Sequence, residues 1–204
     1  MSAVGEQVTL SLDDGSQALL NTDTEIRYVR RLRSREVFLE RGEAHFTVVH
    51  NEWHPFYVRA GQADVQDIGT TFSVRRLDNG VNVTVLEGRA AVTPNNGSQG
   101  YDVSASQAIS TSGGRVVWRP DAIALLAWKD HRLDFDKTPV AEVVNELRRY
   151  RKAPIVLADA KAGLPQVSGG FSSADPDRLL RTLPAVARVT VSFKADGTAI
   201  IVSR

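Results

Sequence analysis

Hydrophobic and polar residues alternate one by one through the first part of the chain. Val8, Leu10 and Leu12 alternate with Thr9 and Ser11, a period of two that predicts a strand with one buried face. Further apolar stretches of this kind, separated by turn residues, occur at 37–39, 44–48, 55–58, 65–74, 81–85, 90–92, 101–105 and 116–118. We therefore predict an all-β domain over residues 4–119, built as a sandwich, a barrel or a β-solenoid.

One stretch of this domain is repeated. The segment 37–48, which contains Glu40-Arg41-Gly42-Glu43-Ala44, is echoed by the segment 83–92, which contains Glu87-Gly88-Arg89-Ala90. In each copy an apolar stretch precedes the glycine and another follows it, so we predict two copies of one hairpin. The repeat favours a solenoid-like arrangement, although two copies fall short of an array.

The pattern changes after residue 119. Residues 125–204 predict the order β-α-β-β-α-β-β. Two apolar stripes with helical spacing mark the helices, and they comprise Val140, Val143, Val144, Leu147 and Tyr150, then Leu179, Leu180 and Leu183. Thr138-Pro139 and Asp175-Pro176 are predicted to begin these helices, with Thr138 and Asp175 as caps.

Gly169-Gly170 is expected to weaken or bulge the strand over 167–171. Residues 94–100 have the composition of a loop. A linker over 120–127 is predicted to separate the all-β domain from a small α+β domain over 128–204.

Composition excludes several kinds of function. The 204 residues include no cysteine, so disulfides, thiolate metal sites and cysteine nucleophiles are impossible. The net charge of +1 gives no global attraction to nucleic acid or anionic lipid. No apolar run is long enough to cross a bilayer, and Met1-Ser2-Ala3 does not begin a signal peptide, so an anchor or leader, if the native protein has one, is expected upstream.

Candidate chemistry is sparse. His50 and His54 have the spacing of metal ligands on a helix, but Asn51 replaces the glutamate of a zincin motif and Pro55 disfavours a helix. The acidic residues Asp13-Asp14, Asp134 with Asp136, and Asp175 with Asp177 fit turns and caps. We therefore predict no metal site, no cofactor and no enzymatic activity.

Five arginines occur within residues 27–35. The first interpretation is a solvated strand and turn. A contact with lipid head groups is an alternative, whereas nucleic acid is disfavoured by the net charge.

The series of motifs along the first domain resembles the FecR family of membrane-spanning anti-sigma regulators. The residues that carry this resemblance are Leu12-Asp13-Asp14-Gly15-Ser16, Leu19-Leu20-Asn21, Arg35, Val37, Leu39, Gly42-Glu43-Ala44, Phe46, Val48, Pro55-Phe56, Val58, Gly69-Thr70, Phe72, Val74 and Val83-Thr84-Val85-Leu86-Glu87-Gly88.

The second domain resembles the STN module, the short N-terminal domain of secretins and TonB-dependent transporters. The matching residues are Trp128, Leu133-Asp134-Phe135-Asp136, Pro139, Glu142-Val143, Leu147, Tyr150, Ser168-Gly169, Phe171 and Leu179-Leu180. Its expected core order is β-α-β-β-α-β.

The resemblance implies a periplasmic sensor region of an inner-membrane single-pass regulator in iron–siderophore signalling. The implied partner is the N-terminal signalling domain of a TonB-dependent outer-membrane transporter. A transmembrane helix and a cytoplasmic anti-sigma domain would belong to the full-length protein and would provide its only link to the membrane. We expect a strand edge or apolar patch of the second domain to bind the partner, through Leu133, Phe135, Val167, Phe171, Val191 and Phe193.

Trp128 is predicted to pack where the two domains meet. The alternative function is a carbohydrate- or envelope-binding β module followed by a secretin-type assembly domain, in which Trp53, Tyr57 and Tyr101 would line a groove.

Overall fold

The computed structural model describes residues 1–95, 99–113, 115–120 and 122–204. It divides into two compact units, residues 1–126 and residues 127–204. The centre of the predicted 94–100 loop and Asp121 of the predicted linker lie outside the described residues. A short 3-10 helix, Ala124–Asp130, begins within that linker and extends three residues beyond it.

The described part of the first unit consists of strands and their connections. The strands are β1 (Val8–Ser11), β2 (Gln17–Leu20), β3 (Glu25–Arg30), β4 (Arg35–Arg41), β5 (Glu43–Thr47), β6 (Phe56–Ala60), β7 (Ala63–Asp67), β8 (Thr71–Leu77), β9 (Gly80–Glu87), β10 (Arg89–Pro94), β11 (Tyr101–Ser104), β12 (Ala108–Ser112) and β13 (Arg115–Arg119). They form one sheet in the order β1-β2-β5-β8-β9-β12-β13 and another in the order β11-β10-β7-β6-β4-β3.

The two sheets share one apolar core. The rings of Phe46 on β5 and Phe56 on β6 belong to different sheets, and their centroids are 5.9 Å apart. Phe72 on β8 also packs against Phe46, at 5.5 Å. Because inward side chains of both sheets meet in this core, the unit is a β-sandwich. The stacked parallel strands of a solenoid are not formed, since every described strand pair of this unit is antiparallel except β4–β6.

The repeated sequence is not a hairpin, which corrects the prediction. β4 pairs with β3 and β6, whereas β5 pairs with β2 and β8 in the other sheet. Likewise, β9 and β10 belong to different sheets. Gly42 and Gly88 therefore mark corners at which the chain crosses from one sheet to the other, and each has a positive φ (+83° and +76°).

Close packing explains why glycine is needed at the second corner. A Cβ on Gly88 would overlap the carbonyl oxygen of Gly69, and Gly69 itself lies at a third crossing, between β7 and β8. Asp67 holds that crossing by accepting hydrogen bonds from the main-chain N–H groups of Gly69 (3.2 Å) and Thr70 (2.8 Å).

Two tight turns join neighbouring strands of the first sheet. Asp13-Asp14-Gly15-Ser16 joins the antiparallel strands β1 and β2, and Asp78-Asn79-Gly80 joins β8 and β9. Gly15 has a φ of +84°, which a reverse turn of this kind requires.

The second unit has the predicted order of helices and strands. Its elements are β14 (Arg132–Pro139), α1 (Val140–Tyr150), β15 (Ile155–Leu157), a 3-10 helix (Ala160–Gly163), β16 (Gln166–Ser172), α2 (Pro176–Val186), β17 (Val189–Phe193) and β18 (Ala199–Ser203). β14 pairs with β16, and the remaining strands form a sheet in the order β15-β18-β17.

The apolar stripes of both helices are buried in the core of this unit, as predicted. The Asp175 cap is also confirmed, because its carboxylate accepts a hydrogen bond from the Arg178 N–H at 3.0 Å. The prediction that Thr138 caps the first helix is wrong. The strand β14 continues through Pro139, and the Val140 N–H donates instead to the Pro165 carbonyl at 2.8 Å.

Candidate functional site

The six residues predicted to bind a partner occupy different environments. Leu133 and Val167 are buried in the core of the second unit and present almost no surface. Phe135, Phe171 and Val191 are half-buried against the same core. Phe193 is 40% exposed. The structure thus brings five of the six residues around one core and leaves Phe193 as the exposed one.

β17 is an edge strand with a free side. Among the described residues it pairs only with β18. The hydrogen bonds Lys194 N–H to Thr198 O (2.9 Å) and Arg204 N–H to Arg188 O (3.1 Å) fix the even-numbered residues as those bonded to β18. Because successive main-chain groups point to opposite sides of a strand, Val191 and Phe193 direct theirs away from β18.

The aromatic ring at the end of this edge lies near two arginines. The guanidinium groups of Arg151 and Arg181 are 5.9 Å and 5.5 Å from the centroid of Phe193. Arg151 is held by Asp177, whose carboxylate accepts from Nε at 2.6 Å, and by the carbonyl of Pro154 at 2.9 Å. The edge therefore ends in an aromatic ring beside two guanidinium groups, of which Arg151 is ion-paired with Asp177.

β16 is also an edge strand, because it pairs only with β14 among the described residues. Its sequence from Gln166 to Ser172 contains neither charge nor proline, the features that commonly protect edges. The predicted irregularity exists but lies on the opposite strand, since the register shifts between Phe135 and Thr138 of β14. Lys137, in that shift, has a φ of +47° and donates its N–H to Ser168 Oγ at 2.8 Å.

One arginine of the cluster at residues 27–35 is buried and holds the fold together, which corrects the expectation of a wholly solvated face. Arg35 is only 3% exposed and forms an ion pair with Asp14. Its guanidinium also donates to the carbonyls of His54 (2.7 Å) and Val49 (2.9 Å). The signal was present in the sequence, because a period of two places Arg35 on the same inward face as Val37.

The environment of Asp14 follows from this pair. Burial alone would raise the pKa of Asp14, but the hydrogen bond from Arg35 and those from the main chain and hydroxyl of Ser16 together hold that pKa below its usual value. The carboxylate is therefore ionised at neutral pH and satisfied by three donors. Its role is to tie the β1–β2 turn to the start of β4.

The three aromatic residues of the alternative function do not line one groove. Tyr57 lies between the inward-facing residues Phe56 and Val58 on β6, so it points outward. Tyr101 pairs with Val92 and packs against the core. Trp53 lies in the connection before β6, and its side chain is highly exposed.

Trp128 belongs to the 3-10 helix Ala124–Asp130, and its side chain is buried. Its place as a domain-junction residue stays a prediction.

Residues 50–53 are exposed and His54 is half-buried, and His50 Nε2 lies 3.8 Å from Glu52 Oε1. Throughout the described ranges there is no group of three or more His, Cys, Asp or Glu side chains placed to hold a metal ion. No helix in the described part of the chain is long and apolar enough to span a membrane.

Comparison with known proteins gives two findings. Residues 1–91 match the sequence profile of the family described as FecR protein. Two crystal structures, at 1.65 and 2.50 Å resolution, of a Parabacteroides distasonis ATCC 8503 protein described as a "putative anti-sigma factor" are similar to the chain. They align with TM-scores of 0.86 and 0.84 at 25% identity, covering 100% of this chain and 97% of theirs.

No curated protein matches the chain in sequence. The FecR match and the structural neighbours support a regulatory role.

Proposed function

We propose that the chain is the periplasmic sensor region of a membrane-anchored anti-sigma regulator in siderophore signalling. Its second unit, which we take to be STN-like, binds the N-terminal signalling domain of a TonB-dependent outer-membrane transporter. The protein is a non-enzymatic binding module and needs no cofactor. The observation that carries this proposal is the FecR match over residues 1–91.

The β17 edge is the docking site that the contacts favour. Its free main-chain groups can pair with a strand of the partner, and Phe193 with Arg181 supplies a side-chain anchor beside them. Aromatic and arginine side chains contribute most to the affinity of protein interfaces. A standard interface of roughly 800 Å² per partner would extend beyond the strand onto α2.

The β-sandwich would serve as a spacer and a stability switch. A partner that binds only the folded state stabilises it by mass action, so occupancy of the second unit would lower its exposure to proteases. Signal would then pass as a change in stability rather than as a chemical reaction.

Calorimetric titration of the chain with the signalling domain of the transporter encoded beside it tests the proposal. We expect saturable binding at protein concentrations up to about 100 μM. Absence of binding over that range would contradict the sensor function for that pair of proteins.

Matched edge variants locate the interface. Thr190→Lys with Ser192→Lys places two charges on β17, and Gln166→Lys with Ser172→Lys places two on β16. We expect only the β17 pair to weaken binding, by at least about tenfold, because edge lysines oppose strand addition. Loss with the β16 pair alone would move the interface to the other edge.

A further inference from the structure

The two most exposed large hydrophobic side chains in the described part of the chain are Leu32, 88% exposed, and Trp53, 86% exposed. Leu32 lies in the turn between β3 and β4, and Trp53 lies just before β6. β4 and β6 run parallel in register, with Arg35 beside Phe56. The segments that precede these two strands therefore project from the same end of the sandwich.

Arg35 holds both segments in place. Its main-chain N–H donates to the carbonyl of Pro55 at 2.9 Å, and its buried guanidinium binds the carbonyls of His54 and Val49. The Leu32 turn is closed by the Arg31 N–H to Ser34 O bond of 2.8 Å. The side chains of Leu32 and Trp53 thus project from segments that hydrogen bonds hold in place.

The turn that carries Leu32 is also positively charged. Arg30, Arg31 and Arg33 flank the leucine and are exposed. Arg31 lies 3.7 Å from Glu36, whereas Arg30 and Arg33 make no ion pair with any described residue.

Two exposed carboxylates, Asp13 and Glu52, lie on the neighbouring segments of this end, so the positive charge is local to the turn.

We propose that this end of the sandwich binds the surface of a membrane containing anionic phospholipids. Leu32 and Trp53 enter the interfacial region, and the three arginines contact lipid phosphates. Peripheral membrane binding combines buried apolar area with attraction to anionic lipid, and tryptophan favours the interface because its ring is amphipathic. A protein partner would need a far larger contact, roughly 800 Å² per side, than two protruding tips present.

Partition of the full chain onto vesicles tests this inference. Vesicles of phosphatidylcholine with about 30 mol% phosphatidylglycerol should bind the chain at low salt, and vesicles of phosphatidylcholine alone should bind it much less. Raising the salt to about 0.5 M should weaken binding, because the screening length becomes shorter than the reach of the arginines. A blue shift of tryptophan fluorescence on binding should be lost in Trp53→Phe.

Two sets of substitutions separate the apolar and electrostatic contributions. Leu32→Ser with Trp53→Ser should lower the partition coefficient at least about tenfold, because both side chains lose their burial in lipid. Arg30→Gln, Arg31→Gln and Arg33→Gln together should lower it by about tenfold or more. The matched control, Arg178→Gln, Arg188→Gln and Lys194→Gln, removes the same charge from exposed positions of the second unit and should leave binding unchanged.

Three results would overturn the inference. The first is no binding of the full chain to the anionic vesicles at low salt. The second is an equal loss in the control triple, which would mean that binding follows net charge alone. The third is that the chain does not bind vesicles but loses binding of the transporter domain when Leu32 and Trp53 are substituted. That result would identify this end as a protein-binding site. Far-UV circular dichroism of each variant confirms that the fold is retained.

Discussion

At the scale of single residues, the buried charge of Arg35 is the most consequential feature of the sandwich. It connects three segments that are distant in sequence, the β1–β2 turn, the start of β4 and the connection before β6. A buried ion pair contributes little net stability compared with apolar packing, but loss of one partner leaves the other charge unpaired. The pair therefore specifies the arrangement of this end.

We predict that Arg35→Met lowers the free energy of unfolding of the sandwich by about 3 kcal/mol, because Asp14 would be left partly buried without its cation. Urea denaturation measures the change. Arg33→Met, at an exposed position two residues away, should shift the same transition by no more than about 0.5 kcal/mol. Equal effects of the two substitutions would contradict a structural role for Arg35.

The lowered pKa of Asp14 predicts a specific dependence on pH. A carboxyl group whose pKa is lower in the folded state contributes stability above its unfolded value, about 3.9, and loses it as the pH falls through the folded value. The stability difference between the wild type and Asp14→Asn should be constant from neutral pH to about pH 5 and shrink below about pH 4. Urea titrations at a series of pH values check this, and a difference that grows on acidification would refute it.

At the scale of elements, glycine corners determine how the sandwich is built. Gly42, Gly69 and Gly88 lie where the chain passes between the sheets, and all three have positive φ values. The corners at Gly69 and Gly88 touch each other, so the two crossings support one local arrangement. This packing accounts for the repeated glycine motif without requiring a repeated hairpin.

We predict that Gly88→Ala is at least about 2 kcal/mol more destabilising than Gly15→Ala. Both residues have similar positive φ values, so the backbone strain is matched. A Cβ on Gly15 would make an ordinary contact at 3.6 Å with Val49, whereas one on Gly88 would overlap main-chain atoms of Gly69. Equal losses in thermal or urea denaturation would show that φ alone accounts for the glycine.

At the scale of the whole molecule, the chain has two separate apolar cores. One lies between the sheets of the first unit, and the other is formed by both helices and the strands of the second. Each core contains fully buried large side chains, such as Phe46 in the first and Leu147 in the second. Each unit therefore has its own source of hydrophobic stability.

We predict that Phe46→Ala costs about 3–5 kcal/mol in the first unit and Leu147→Ala about 2–5 kcal/mol in the second. Native-state hydrogen exchange should show each loss mainly in the amides of the unit that carries the substitution. If either change lowered protection equally in both units, the chain would be one cooperative block instead of two.

The sequence by itself determined the local structure of this protein. Alternation along β4 and the helical stripe of α1 each specify a buried face, because side-chain direction repeats every two residues in strands and about every 3.6 in helices. Turn residues such as those before Gly15 predict their turn equally well, since a β-turn involves only four consecutive residues.

Only the tertiary structure decided which strands pair and which polar groups are buried. A glycine with positive φ between two apolar strands suits a hairpin and a corner equally well, so the repeat around Gly42 and Gly88 does not distinguish the two. The choice depends on pairing between residues far apart in sequence, such as Glu43 with Arg75. Alternation places Arg35 on the inward face of β4, but its partner Asp14 and its carbonyl acceptors meet only when the sheets assemble.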